Sequence, residues 1–317
     1  MSNYLVTGGA GFIGSNIVAE LLRQGQKVRV LDNFATGRRE NLLELDSKID
    51  LIEGDVRDLK TVERAVEDID YVLHQAALPS IPRSVEEPLT SNEVNVTGTL
   101  NVLIASRDAG IKRVVYASSS SIYGNNPTLP KKEEMKSDPL SPYTVSKLAG
   151  ERYCKVFYQI YGLETVMLRY FNIFGPRQDP TSQYSAVIPK FITAMLKGKQ
   201  PVIYGDGEQS RDLTYVANAV QSNFLAVTKE GIAGEVFNIA CGKRVTINQI
   251  VKELNNLLGT SIKPIYAEPR AGDVRHSLAD ISKARNLLDY EPEIDFREGL
   301  KRTIEWYTNS DKKRIVY

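Results

Sequence analysis

The run Gly8-Gly9-Ala10-Gly11-Phe12-Ile13-Gly14 lies between a short apolar, β-branched segment, Tyr4-Leu5-Val6-Thr7, and a helix-forming stretch, Ser15-Asn16-Ile17-Val18-Ala19-Glu20-Leu21-Leu22. Strand, glycine turn, helix is an order that few folds use. Glycines at 8, 11 and 14 let the turn tighten and let the backbone approach a pyrophosphate, while the helix start at Phe12 and Ile13 offers unpaired N–H groups and the positive end of a dipole. Asp32 closes the next strand, Val28-Arg29-Val30-Leu31-Asp32, at the spacing where an acid accepts the adenosine ribose hydroxyls. That carboxylate repels a 2'-phosphate, so the pattern favours NAD over NADP, although Arg38 and Arg39 are near enough in sequence to leave the phosphorylated cofactor open. Asp55, in Glu53-Gly54-Asp55-Val56, fits two roles, contact with the adenine amino group or capping of a turn.

Beyond the turn, apolar runs at 3–7, 27–32, 49–53, 70–74, 112–117 and 164–169 alternate with amphipathic stretches near 12–24, 58–67, 88–109 and 143–161. Parallel strands need crossovers of that length, so the fold class is α/β, a doubly wound parallel (Rossmann) sheet over residues 1–170. From 171 to 317 the pattern loosens around Phe174-Gly175-Pro176 and Tyr204-Gly205-Asp206-Gly207, with helices expected at 185–197, 246–258 and 296–308. We read this part as a smaller α/β substrate lobe, some of whose segments return to the first domain. The cleft between the lobes is where chemistry is expected. With 40 basic and 39 acidic side chains, no global field attracts nucleic acid or an anionic membrane. An anionic substrate therefore needs locally placed arginines. Cys154 and Cys241, far apart, point to neither a disulfide framework nor a metal site. The N-terminus enters a strand without a charged leader, and no apolar run approaches the roughly 20 residues of a membrane span, which predicts a cytoplasmic protein.

The hydroxyl cluster Ser118-Ser119-Ser120-Ser121 ends the fifth apolar run, and Tyr143-Thr144-Val145-Ser146-Lys147 opens the following helix. Four residues apart, Tyr143 and Lys147 share a helix face. A phenol with an ordinary pKa near 10 is a weak base at neutral pH, and a cation such as Lys147 or an oxidised nicotinamide lowers it by favouring phenolate. Ser119 would hydrogen-bond the reacting oxygen.

With these residues in place the chain resembles the extended short-chain dehydrogenase/reductases, and within them the nucleotide-sugar 4-epimerases, most of all those acting on UDP-N-acetylglucosamine. The likeness extends through His74-Gln75-Ala76-Ala77, Asn95-Val96-Thr97-Gly98-Thr99, Leu168-Arg169-Tyr170-Phe171-Asn172, Val187-Ile188-Pro189-Lys190 and Ser210-Arg211-Asp212. The resemblance implies Ser119, Tyr143 and Lys147 as the catalytic set. It implies a cofactor site completed by Asn33, Val56, Gln75, Ala76, Ala77, Asn95 and Tyr170, with Asn95 near the nicotinamide half. On the substrate side it implies Asn172, Arg211 and Arg275 on the diphosphate, joined by Ser121, Val187, Lys190, Tyr204 and Ser277.

The implied reaction inverts C4 of a UDP-hexose through a 4-keto intermediate, with NAD regenerated and retained through turnover. Dehydrating or decarboxylating relatives carry an acid just before the Ile-Tyr-Gly of the serine loop, where this chain has Ser120 and Ser121. Simple epimerisation is therefore favoured, with dehydratase or decarboxylase and a non-catalytic dinucleotide-binding regulator as the alternatives. Ser277, in Arg270-Ala271-Gly272-Asp273-Val274-Arg275-His276-Ser277, takes the place of a bulky tyrosine seen in hexose-restricted epimerases, and leaves room for an acetamido group. The runs Gln178-Asp179-Pro180 and Tyr184-Ser185-Ala186-Val187 also resemble N-acetylhexosamine epimerases. UDP-GlcNAc/UDP-GalNAc is thus the first substrate pair and UDP-Glc/UDP-Gal the second. His74 and His276 read as packing or lining residues. The helices near 88–109 and 143–161 carry apolar residues around more than one face (Val145, Leu148, Tyr153, Val156, Phe157, Ile160), and the pairing such helices show in this family implies a homodimer.

Overall fold

The computed structural model describes residues 1–180, 187–269 and 274–315, with side chains up to residue 309. Tyr184-Ser185-Ala186 and Arg270-Ala271-Gly272-Asp273, used above for substrate choice, lie outside the described residues.

The chain begins with β1 (Asn3–Thr7), α1 (Phe12–Arg23), β2 (Lys27–Asp32), β3 (Asp50–Glu53), α2 (Leu59–Val66) and β4 (Tyr71–His74). Next come α3 (Ile81–Glu86), α4 (Pro88–Asn92), α5 (Gly98–Asp108), β5 (Arg113–Ser119), α6 (Pro142–Tyr161) and β6 (Glu164–Tyr170). The remainder comprises β7 (Ile173–Phe174), α7 (Val187–Leu196), β8 (Val202–Tyr204), β9 (Ser210–Asp212), β10 (Thr214–Tyr215) and α8 (Val216–Thr228), then β11 (Val236–Ile239), β12 (Arg244–Thr246), α9 (Ile247–Leu258), β13 (Ile265–Ala267), α10 (Ser282–Leu288) and α11 (Phe296–Ile315).

Seven strands form one sheet in the order β11-β6-β5-β4-β1-β2-β3, each neighbouring pair parallel. The two-residue period of a strand explains why apolar runs build it. Tyr4 and Val6 face one core with Val30, Leu73, Val115 and Leu168, while Leu5 faces the other with Leu31, Val72, Val114 and Met167. Ile17, Val18 and Leu21 of α1, with Ala219 and Val220 of α8, cover the first face. Val62 of α2, Leu103 of α5 and Phe157 of α6 cover the second.

The six strands read from sequence start and end within two residues of the observed ones. The differences lie elsewhere. The 88–109 stretch is broken into α4 and α5 by a π-helical turn, Glu93–Thr97, which carries the buried Asn95. The seventh sheet strand, β11, comes from the second half of the chain and extends the sheet beyond β6. Helices α8 and α10 were not expected; α8 buries Ala, Ser and Asn as well as Val around its surface, which erases the apolar stripe. The rest of the second lobe is built on three two-stranded pairs, β7 with β10, β8 with β13 and β9 with β12.

Candidate active site

The glycine turn is fixed by close backbone approaches. Gly8 has φ +68°, and a Cβ there would lie 2.7 Å from the Ala76 nitrogen; a Cβ on Gly14 would lie 2.2 Å from the Gly8 oxygen. Gly11 differs, because its Cβ would meet only that same oxygen, at 3.1 Å. Gly11 also caps α1 with no side-chain hydrogen bond, so no capping side chain takes up the N–H groups that follow at Phe12 and Ile13. Asp32 ends β2 buried, accepting from the Ala10 nitrogen at 2.9 Å and the Phe34 nitrogen at 2.8 Å. Burial pushes its carboxyl above the ordinary range, against these two N–H groups. A Cβ on Gly37 would sit 2.9 Å from both carboxylate oxygens, so glycine keeps that edge uncovered. A glycine cradle, a helix N-terminus and a ribose-directed carboxylate together fit the adenosine diphosphate half of NAD. Arg38 pairs with Asp179, while Arg39 pairs with Glu53 and lies over the Phe34 ring, so both arginines face protein carboxylates. Asn33 donates to Asp55 at 2.7 Å, and Arg57 holds the Asp55 carboxyl below its usual range. Val56 is buried against Gly98.

At the end of β4, Gln75, Ala76 and Ala77 form the loop on which the glycine turn rests. The Gln75 amide reaches Asn223 at 3.1 Å, Asn223 donates to the Tyr170 hydroxyl at 2.7 Å, and burial pushes that phenol up to about 12. His74 is buried between Thr7 and Thr99, at 2.7 and 3.0 Å. The Thr99 hydroxyl donates to the Asn95 carbonyl, which assigns the ring proton to Nε2. Burial lowers His74 to about 3, so it is a neutral packing group.

Strand β5 ends at Ser119, and α6 starts behind a reciprocal Ser141/Thr144 cap with Pro142 in its first turn. These two termini bring Ser119 close enough to Tyr143 to favour its phenolate, and the Ser121 hydroxyl lies 2.8 Å from that of Ser119. Lys147, one turn into the helix, is buried and donates to the Ala117 carbonyl at 2.8 Å. Burial raises the Tyr143 phenol, with the Ser119 contact opposing, and lowers Lys147 to about 8. The protein's own groups therefore leave Tyr143 above its ordinary value, and the lowering expected from Lys147 does not outweigh burial. Asn95 fastens this helix: its amide accepts from the Leu78 nitrogen at 2.8 Å and donates to Ser146 at 3.0 Å, which donates to the Tyr143 carbonyl at 2.7 Å.

Glu151, missed in the sequence, continues the Tyr143/Lys147 face by one more turn. It accepts from Ser118 and from two nitrogens of Arg169, in an ion pair that is almost wholly buried, and Arg169 also donates to the Tyr123 hydroxyl. The signal available was the spacing 143, 147, 151 with an acid on a buried face.

In the second lobe, Asn172, Val187, Lys190, Tyr204 and Arg211 line one cavity of about 510 Å³, a volume suited to a small molecule. Phe174, Phe191, Gln209 and Leu213, not foreseen, complete its wall. Asn172, at φ +40°, donates to the Asp212 carbonyl, and Arg211 donates to the carbonyls of Ser210 and Arg275. Arg275 and Ser277 stand outside this lining. The Arg275 guanidinium pairs with Asp206 at 2.8 Å on an exposed surface, and the Ser277 nitrogen donates to Ser210. Among the described residues no group of three or more His, Cys, Asp and Glu is placed to hold a metal, and no helix is long and apolar enough to cross a membrane.

Residues 4–240 match the family model described as the NAD dependent epimerase/dehydratase family. The chain belongs to that family. It is 40% identical over 310 residues, 97% of this chain and 99% of the relative, to a putative UDP-glucose 4-epimerase of Methanocaldococcus jannaschii. Two solved structures superpose closely. A UDP-N-acetylglucosamine 4-epimerase of Methanobrevibacter ruminantium, in complex with UDP-N-acetylmuramic acid, gives a TM-score of 0.93 at 44% identity, covering 98% of this chain and 99% of that one. A UDP-glucose 4-epimerase of Thermotoga maritima with UDP-glucose gives 0.92 at 39% identity, covering 97% and 99%. As a member of this family the chain is NAD-dependent.

Proposed function

We propose that this protein interconverts the C4 epimers of a UDP-hexose through a 4-keto intermediate, with UDP-GlcNAc/UDP-GalNAc as the first pair and UDP-Glc/UDP-Gal as the second. The observation that carries the reading is the contact of Ser119 with Tyr143 at the head of α6, next to a serine loop that offers no carboxylate at 120 or 121. When bound, NAD supplies the reversible oxidation of the C4 carbinol to a ketone. Tyr143 takes the proton of the C4 hydroxyl and returns one to the inverted oxygen, so protons balance over the cycle. Ser119 orients that oxygen, and Lys147 supplies the nearby positive charge. Asn95 and Ser146 hold α6 so that Tyr143 and Lys147 keep their register. The 510 Å³ cavity, lined by the cations Lys190 and Arg211 and by the aromatic rings of Phe174 and Phe191, is suited to a nucleoside diphosphate.

Support for the acetamido substrate comes from serine at 277, from the Gln178-Asp179-Pro180 run, and from the activity named for the M. ruminantium relative. A site with room for an acetamido group excludes a hydroxyl only weakly, which keeps the plain hexose pair as second substrate. Incubation of purified protein with UDP-GlcNAc, UDP-Glc and UDP-glucuronate separately, with no added NAD, tests the reading. Products of unchanged mass and inverted C4 are expected; loss of water or carbon dioxide would sink it, as would full activity of Tyr143→Phe. Ser277→Tyr is expected to suppress turnover of UDP-GlcNAc more than that of UDP-Glc, and equal loss on both refutes the assigned role of Ser277.

We also propose a homodimer through α3, α4 and α6. Phe157 is buried within the chain, whereas Val145, Val156, Ile160 and Leu89 are exposed, the last two at 68% and 78%. Glutamate at Leu89 and Ile160 should leave a monomer by light scattering, and an unchanged mass rules out this face.

A further inference from the structure

Residues 176–179, which follow β7, are fastened to both ends of the dinucleotide cradle. Asn16, in the first turns of α1, donates its amide to the Pro176 carbonyl at 3.1 Å, and Arg177 donates from its guanidinium to the Ser15 carbonyl at 3.1 Å. Arg177 is partly buried and holds a left-handed backbone, φ +67°, that L residues avoid unless surroundings impose it. From the ribose side, Arg38 is rooted by its own nitrogen on the Ala10 carbonyl at 3.0 Å, and Ala10 in turn donates to Asp32. The Arg38 guanidinium then meets the Asp179 carboxylate at 2.5 Å, and the Tyr307 hydroxyl of α11 donates to the Gln178 carbonyl. The contacts thus run from Asp32 through Ala10, Arg38 and Asp179 to Arg177 and Ser15, a circuit that the turn and the start of α1 close.

We propose that this circuit is a strap that retains NAD, with the Arg38–Asp179 pair as its releasable closure. A cofactor lying along the glycine turn between the helix N-terminus and Asp32 is bounded by the strap, so its departure requires a joint to open. Each of the other joints has a backbone group on at least one side, whereas this one joins two side chains that are 36% and 29% exposed, where water and salt compete. Slow release costs this family member nothing if each turnover returns NAD to its starting form.

The test follows NAD itself, so its result is independent of which sugar nucleotide is the substrate. Protein carrying NAD is diluted into an excess of an NAD-consuming dehydrogenase and the release rate is measured. Asp179→Ala and Arg38→Ala are each expected to speed release roughly three- to fivefold, with no further gain in the double variant. Exchanging the two charges (Arg38→Asp with Asp179→Arg) should return the rate to within about twofold of wild type. Raising salt to about 1 M, where the Debye length is about 3 Å, should speed release from wild type and not from Asp179→Ala. Release from Asp179→Ala at the wild-type rate overturns the proposal, as does a charge exchange that stays fast. If the exchanged protein does not fold, equal salt sensitivity of wild type and Asp179→Ala overturns it alone.

Discussion

Replacing Lys147 with methionine should make this protein more stable while abolishing most of its activity. Burial takes the Lys147 ammonium from 10.5 to about 8. Each pKa unit corresponds to about 1.4 kcal/mol, so holding the charge inside the folded chain at neutral pH costs about 3 kcal/mol. Methionine has similar length and no charge, and forfeits the 2.8 Å hydrogen bond to the Ala117 carbonyl, worth about 1 kcal/mol. The net gain is about 2 kcal/mol, or about 4 °C in the unfolding midpoint of a chain of this size. The sign follows from proton linkage. The folded pKa lies below the unfolded one, so the penalty is complete below about pH 8 and fades as pH rises toward 10.5, where the unfolded chain also gives up its proton. Calorimetry on wild type and Lys147→Met stripped of NAD, at pH 7 and again near pH 10, reads both numbers. Turnover should fall by about a hundredfold or more, since the cation that favours the Tyr143 phenolate is gone. A lower midpoint at pH 7, or a gain that persists undiminished at high pH, would refute the reasoning.

The two inner glycines should separate by phenotype. Gly14→Ala places a Cβ 2.2 Å from the Gly8 oxygen and should lower the midpoint and empty the cradle of NAD, whereas Gly11→Ala, at 3.1 Å, should keep its midpoint within about 2 °C and still lose NAD, as read from absorbance at 260 nm and calorimetry. Glu151→Gln strands the buried Arg169 and should cost about 3–5 kcal/mol in denaturant unfolding, with the double replacement of Glu151 and Arg169 by Met costing less than the single one. The alkaline limb of kcat/KM should fall as Lys147 loses its proton near pH 8 and shift upward by at least one unit in Lys147→Arg; an unmoved limb means another group governs it.

What the sequence disclosed and what it withheld divide along physical lines. The strands were legible because a sheet covered on both faces demands unbroken apolar runs, and Leu5/Val6 or Leu31/Val30 serve opposite cores without any change of pattern. The turn was legible because only glycine meets the approach of Gly14 to Gly8. Helix α8 was not, since Ser222 and Asn223 are as buried as Ala219 and no polar face marks it. Strand β11 was not, because four residues far along the chain gain meaning only through pairing with β6. At the site, spacing on one helix exposed Tyr143 and Lys147 and could have exposed Glu151, whereas the bond of Asn95 to Ser146 and the pairing of Glu151 with Arg169 join separate elements, which spacing along one helix does not show.

The most informative of those contacts concern charge. Within the protein, burial moves Tyr143 up and Lys147 down, so both groups are driven toward their neutral forms, and each opposes the ionised state that proton abstraction needs. Glu151 raises Lys147 from one turn away, yet much of its charge is already matched by Arg169 at 2.8 Å. A phenolate at Tyr143 is thus unfavourable in the scaffold alone, and in the proposed mechanism the positive charge of an oxidised nicotinamide would be what favours it. The same charge would be absent from the reduced cofactor, so on this proposal Tyr143 would favour the phenol once oxidation at C4 is complete. A base that weakens when its work is done keeps the proton close for return to the inverted oxygen, and this requires the cofactor to remain in place between the two half-reactions. Retention of NAD and the burial of Tyr143 would for that reason be one design requirement, with the proposed closure, Arg38 and Asp179, drawn from 141 positions apart on either side of the catalytic helix.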